Sequence, residues 1–155
     1  MKPDATLLSS ALAGAGITPI SLGEESHLGL VVRVEAADAV ASLAALAAST
    51  ELAFEMLLDT FGADTGEQVE VTYHLRSFAH NTDLYVKVRV PYGATLASAF
   101  DVYPSVYMPE RELAEMFGLL LSGHPNPKRL LSTEVTPPLL LKSTAVRSRE
   151  ELWSE

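Results

Sequence analysis

Acid–base chemistry needs a proton donor and an acceptor held within hydrogen-bond reach. The segment Pro109–Leu131, PERELAEMFGLLLSGHPNPKRLL, gathers the residue types that could supply them. Glu110-Arg111-Glu112 open it and Glu115 follows. Gly118 comes next, His124 stands in a Gly123-His124-Pro125 turn, and Lys128-Arg129 precede two leucines. On a helix that begins at Pro109 and stops at Gly118, glutamates in the first turn meet the positive end of the dipole. Arg111 and Glu115 are then four apart and can pair, while Leu113, Met116 and Phe117 form one apolar stripe. A capped amphipathic helix accounts for these charges without chemistry. The competing reading is a free-standing enzyme that uses Glu112, Glu115 and His124 as acid–base groups.

Other sources of chemistry are poorly represented. His124 has no second His at ligand spacing, and His27, His74 and His80 are scattered. A zinc site needs three or four converging ligands, so a turn histidine hydrogen-bonded to backbone is the expectation for His124. The Gly62–Glu67 stretch lacks the Lys of a phosphate-binding loop, and no Gly-x-Ser-x-Gly nucleophile turn occurs. Lys128-Arg129 fit an acidic partner surface better than a phosphate, because two charges make a weak anion site.

The bulk composition narrows the field. A chain of 155 residues buries one domain's core, and 48% hydrophobic with 20% charged residues is an ordinary globular balance. The net charge of −9 disfavours nucleic acid and anionic lipid as partners, since both are polyanions. There is no Cys, so neither disulfides nor the usual thiolate ligands of iron–sulfur clusters are available. Met1-Lys2-Pro3-Asp4 lacks a basic start followed by a compact apolar core, so no secretory leader is expected. The Ala-rich stretch 36–49, broken by Asp38 and Ser42, falls short of the roughly 20 apolar residues that span a bilayer.

The elements that must position the 109–131 segment can be read from periodicity. A helix is expected over residues 4–16, capped by Asp4 or Thr6, and a polar connection over 17–27. Residues 28–34 read as a strand and 36–49 as a helix packed closely on a sheet. Residues 52–59 read as a strand ending at Asp59, with 60–66 as loop. Residues 69–78 and 83–90 alternate strictly and predict an antiparallel hairpin. A helical turn is expected over 94–100 and an extended piece over 102–106. Residues 1–131 form the domain. Residues 132–155, with Pro137-Pro138 and Leu139-Leu140-Leu141, form an extended tail that neither helix nor central strand accommodates.

The order of charges, turn and apolar pair resembles the signature of the thirty-kilodalton subunit of respiratory complex I, the NADH:quinone oxidoreductase. That pattern is Glu-Arg-Glu, two variable residues, an acid, two apolar residues, six variable residues, a His, three variable residues, a base and apolar positions. Glu115 fills the acid, Met116-Phe117 the apolar pair, His124 the His and Lys128 the base. LAFEMLLDTFGAD, VTYHLRSFAHN and DVYPSVYMPERE resemble the segments that lead to the signature, so the likeness covers about residues 28–131.

The resemblance implies an α/β (α+β) fold with a mixed, mainly antiparallel sheet and helices packed on it. It also implies a non-catalytic subunit in the peripheral arm, beside a forty-nine-kilodalton-type subunit and iron–sulfur subunits. Membrane contact would be indirect, at the cytoplasmic face of the inner membrane. No cofactor is expected in this chain; iron–sulfur clusters, flavin and quinone would belong to partners. Glu110, Arg111, Glu112, Glu115, Phe117, Gly118, Gly123, His124, Pro125, Lys128 and Arg129 would form the subunit interface, and the tail would run over a partner. The same subunit type recurs in membrane-bound [NiFe] hydrogenases and ferredoxin-linked complexes, which stand as the alternative.

Overall fold

A computed structural model describes residues 3–25, 29–132 and 136–145. The chain runs α1 (Ala5–Gly14), β1 (Ser21–Glu25), β2 (Gly29–Arg33), α2 (Ala39–Ala48), β3 (Met56–Asp64), β4 (Val69–Ser77) and β5 (Thr82–Val90). β6 (Thr95–Ala97), α3 (Tyr107–Phe117) and β7 (Leu120–Ser122) follow. One sheet has the order β1-β2-β5-β4-β3 and is antiparallel except where β2 pairs with β5. β6 and β7 form a separate parallel pair.

The alternation in β4 and β5 gives the sheet two unlike faces. Val71, Tyr73, Leu75, Leu84, Val86 and Val88 point into one core with Leu8 and Leu12 of α1, Leu43 and Leu46 of α2, and Leu113 and Phe117 of α3. The opposite face carries the charged residues of the same strands. There Lys87 Nζ lies 3.3 Å from Glu70 and 3.5 Å from Glu25, and Arg33 bonds Glu25. Asp4 caps α1 by accepting the Leu7 N–H at 2.9 Å, as its position predicts.

Several boundaries depart from the sequence expectations, each for a tertiary reason. The 17–27 connection contains β1, an edge strand whose residues are recruited by pairing with β2 rather than by their own propensity. Leu52 and Phe54 are buried in an irregular segment, with Ala53 at φ 49°, so their apolar signal reports the core and not a strand. β3 starts at Met56 and runs through the stretch expected to be loop, as far as Asp64. Gly62 does not end it, because a Cβ there would lie 2.7 Å from the Phe117 ring; the glycine marks a close approach of helix to strand. β6 replaces the helical turn expected over 94–100, and a 3₁₀ turn at Pro104–Val106 replaces the extended piece over 102–106.

Candidate functional site

α3 carries the signature and is fixed on one side by the β3 edge. It begins at Tyr107, two residues before Pro109, and ends at Gly118, whose φ of 70° places it in the left-handed region of a helix stop. The Gly118 N–H bonds the Ala114 carbonyl. β7 then pairs with β6, and the Ser98 N–H bonds the Ser122 carbonyl at 2.8 Å. That pairing holds the Ser98-Ala99 turn over the start of α3.

Glu110 is the consequence of this placement. It sits in the first turn of α3, as expected, but it is fully buried rather than exposed to the dipole. Its Oε1 accepts the Ala99 N–H at 2.8 Å and its Oε2 accepts the Ser98 hydroxyl at 2.5 Å. Burial pushes its pKa above the usual carboxylate value, while the Ala99 and Ser98 donors and the nearby His124 pull the other way. The Tyr73 hydroxyl in the same interior has no hydrogen-bond partner among the described residues, and burial followed by the Glu110 charge drives its pKa far up.

The expected Arg111–Glu115 pair does not form. Both residues reach the loop after β7 instead. Arg111 Nε donates to the Lys128 carbonyl at 2.9 Å and Nη2 to the Arg129 carbonyl at 2.7 Å. Glu115 Oε2 accepts the N–H groups of Leu130 at 2.6 Å and Leu131 at 2.8 Å. Its Oε1 accepts the Ser132 N–H and hydroxyl at 2.9 and 2.8 Å. The pKa of Glu115 is held at about 2, first by the Leu131 N–H and then by Leu130 and Ser132, against the effect of burial. Arg129 meets an acid of its own chain: Nη2 lies 3.4 Å from Glu115 and 2.7 Å from the Thr136 hydroxyl. Arg129 thus engages its own chain while its side chain stays about a third exposed, and Lys128 lends the clasp its carbonyl.

His124 is a turn histidine bonded to backbone, as expected. The Asn126 N–H donates to Nδ1 at 3.0 Å, so Nε2 carries the proton and donates to the Tyr107 carbonyl at 3.0 Å. With both ring nitrogens engaged, no lone pair faces outward for a metal. Among the described residues no group of three His, Cys, Asp or Glu side chains could hold one. The ring also lies 5.1 Å from that of Tyr107, whose hydroxyl accepts from Asn126 Nδ2. Tyr107, Asn126, Ser98 and Ala99 were invisible as site residues, because what they contribute is mostly backbone donors and acceptors without a side-chain pattern.

Glu112 is the exception. It has no hydrogen bond or ion pair among the described residues, and it faces a cleft of about 190 Å³ with Asp59, Phe61, Pro109, Met116 and Leu140. Phe117 is in the core, Gly123 makes its turn at φ 75°, and Pro125 follows His124. The described part of the tail, residues 136–145, lies on its own domain. Leu140 N–H bonds the Met116 carbonyl at 3.0 Å, and Lys142 N–H bonds Asp64 Oδ2 at 2.7 Å. Pro138 packs where a Cβ on Gly118 would lie, and Leu139 and Leu140 remain exposed.

Comparison with known proteins places this geometry. The model of the respiratory-chain NADH dehydrogenase 30 kDa subunit family matches residues 32–148. The C-subunit of the NADH-quinone oxidoreductase of Methylorubrum populi is 34% identical over 122 residues, covering 77% of this chain and 54% of that protein. Its counterpart from Methylobacterium sp. is 32% identical over 128 residues, covering 81% and 58%. The chain spans about half the length of the curated relatives it matches. A solved structure of the membrane-bound sulfane sulfur reductase, an archaeal respiratory membrane complex, contains a chain that superposes with a TM-score of 0.67 at 23% identity, covering 86% of this chain and 77% of that one; the likeness is one of fold.

Proposed function

This chain belongs to the 30 kDa subunit family of the respiratory-chain NADH dehydrogenase, and from that membership we propose a role without redox chemistry of its own. It is a peripheral-arm subunit of a membrane-bound NADH:quinone oxidoreductase, where it helps position the forty-nine-kilodalton-type subunit near the quinone site. Flavin, iron–sulfur clusters and quinone belong to the partner subunits. No described helix is long and apolar enough to cross a membrane, which suits attachment through the complex; the side of attachment proposed is the cytoplasmic face of the inner membrane.

The observation that carries the reading is the pinned loop 123–132. His124 ties it to the Tyr107 carbonyl and accepts its Asn126 N–H, and Arg111 and Glu115 hold its backbone from inside. Lys128 and Leu131 are left outward, with Leu131 62% exposed. A loop ordered before association loses less conformational freedom on binding, and charge at its rim sets register and partner choice more than affinity. The signature is therefore a clamp that presents a docking surface; of the three groups an acid–base site would use, Glu115 is saturated with donors and both His124 nitrogens are engaged.

The test is a pull-down of the tagged full chain from gently solubilised host membranes, with mass spectrometry and metal analysis. The proposal expects a forty-nine-kilodalton-type subunit and iron–sulfur partners without nickel, and loss of both from the Leu131→Asp, Lys128→Glu variant. Stoichiometric nickel moves the chain to a hydrogenase, and recovery of the chain alone overturns the assembly role.

A further inference from the structure

We propose a second docking site, separate from the 123–132 loop: the cleft between α3 and the outer edge of β3, whose occupant is an extended segment of a partner protein carrying a basic side chain flanked by apolar ones. β3 is the last strand of the sheet, so one side of its backbone has no strand partner among the described residues. It is nine residues long, exposes Met56, Leu58 and Phe61, and carries none of the lysines or prolines that commonly guard an edge. The Ser105 hydroxyl covers the edge at the Leu57 carbonyl, and the tail closes the far end where Lys142 N–H meets Asp64. Between them the stretch from Leu58 to Ala63, a length of about 20 Å at the rise of a strand, has no strand partner on that side among the described residues; the Thr60 N–H is held by Asp59 Oδ1 at 2.8 Å.

The chemistry of the occupant follows from the charges. Glu110, Arg111 and Glu115 are each satisfied inside the chain, and among the described residues Glu112 alone of the signature acids is not. It shares the cleft with Asp59 and with the apolar walls of Phe61 and Met116. Thr60, whose buried hydroxyl has no partner among the described residues, lines it too. An unpaired carboxylate beside apolar walls attracts a cation more strongly than one in open water, and strand addition supplies the main-chain bonds while alternate side chains enter the cleft. A second copy of this chain fits poorly, since it would bring like charges together in a protein of net charge −9.

The experiment places a photo-crosslinking benzoylphenylalanine at Phe61 of the full chain in its host and, in a separate variant, at Leu131. Crosslinked peptides are then sequenced. The expected result at Phe61 is a partner peptide with Lys or Arg within two residues of a large apolar residue, its yield falling about tenfold or more with Glu112→Lys. Glu112 is exposed and has no partner among the described residues, so that variant should keep the melting temperature of the parent. A Phe61 crosslink only to this chain's own residues 146–155, to a second copy, or to nothing overturns the proposal. So does a yield indifferent to Glu112→Lys. The Leu131 crosslink reports on the loop contact independently, so either docking surface can fail without the other.

Discussion

Arg111 and Glu115, one turn apart on α3, grip the same loop through opposite backbone groups. Arg111 takes the carbonyls of Lys128 and Arg129, and Glu115 takes the N–H groups of Leu130, Leu131 and Ser132. Here the two side chains satisfy five consecutive residues of backbone that has no strand or helix of its own. The base and the acid of the signature are thus needed at this spacing because peptide groups present carbonyl and N–H in sequence, not because the two side chains attract each other.

The first prediction is a pH dependence of this clasp. Glu115 is held at about 2 against an ordinary value of 4.5. A lowered carboxyl contributes stability that is present above the unfolded value and lost as pH falls through the folded one. The loop should therefore stay anchored at pH 5 and loosen between pH 4.5 and about 2, with the Glu115 carboxyl carbon titrating in that range by NMR. Glu115→Gln should reproduce the loosened state at neutral pH, with amide exchange at Leu130–Ser132 roughly tenfold faster. An ordinary carboxyl titration would remove the clasp.

What the sequence made legible, and what it did not, divides along the range of the forces. β4 and β5 were readable because a strict alternation of Val, Leu and Tyr with charged residues admits one half-buried geometry. Gly118 was readable as a helix stop because its left-handed conformation favours glycine. β6 was not, since three residues become a strand only by pairing with β7, some two dozen positions away. Glu110 looked like a surface acid because its partners, the Ala99 N–H and the Ser98 hydroxyl, arrive from that same pairing. The Arg111–Glu115 pair was expected from helix spacing, and loop peptide groups, which leave no trace in side-chain identity, outcompete it.

A second prediction separates charge from hydrogen bonding at Glu110. Glu110→Ala leaves the Ala99 N–H and the Ser98 hydroxyl buried without their acceptor, at a cost of about 1–3 kcal/mol. Glu110→Gln keeps an acceptor for Ala99 and avoids burying a charge, so urea denaturation should place it much closer to the parent. Because burial raises the Glu110 pKa, its ionisation weakens the fold as pH rises from the unfolded value through the folded one, opposite in sign to Glu115. In the Gln variant that loss should be absent. Equal destabilisation by Ala and Gln would show that the ionised carboxylate itself is required.

Histidine tautomer offers a third. The Asn126 N–H already occupies Nδ1 of His124, so nitrogen NMR should find the proton on Nε2, facing the Tyr107 carbonyl. His124→Ala should then disorder the Gly123–Asn126 turn while leaving β4 and β5 protected, because the ring ties the turn to α3 and not to the sheet. A proton on Nδ1 would be incompatible with the Asn126 bond.

The fourth prediction isolates the tail. Gly118 and Gly123 both adopt left-handed backbone, at φ 70° and 75°. A Cβ on Gly123 meets open space, whereas one on Gly118 would lie 2.5 Å from Pro138 Cγ. Alanine at either position carries the same backbone penalty, about 1–2 kcal/mol, so any excess at Gly118 measures the contact between the helix stop and the tail. Gly118→Ala should also displace the strap, breaking the Leu140–Met116 and Lys142–Asp64 bonds that depend on it. Faster amide exchange at Leu140 and Lys142 in Gly118→Ala, and not in Gly123→Ala, is the expected signature. If the two variants behave alike, Pro138 is not what holds the tail on this domain, and Asp64 with its Tyr92 and Lys142 contacts becomes the anchor to test.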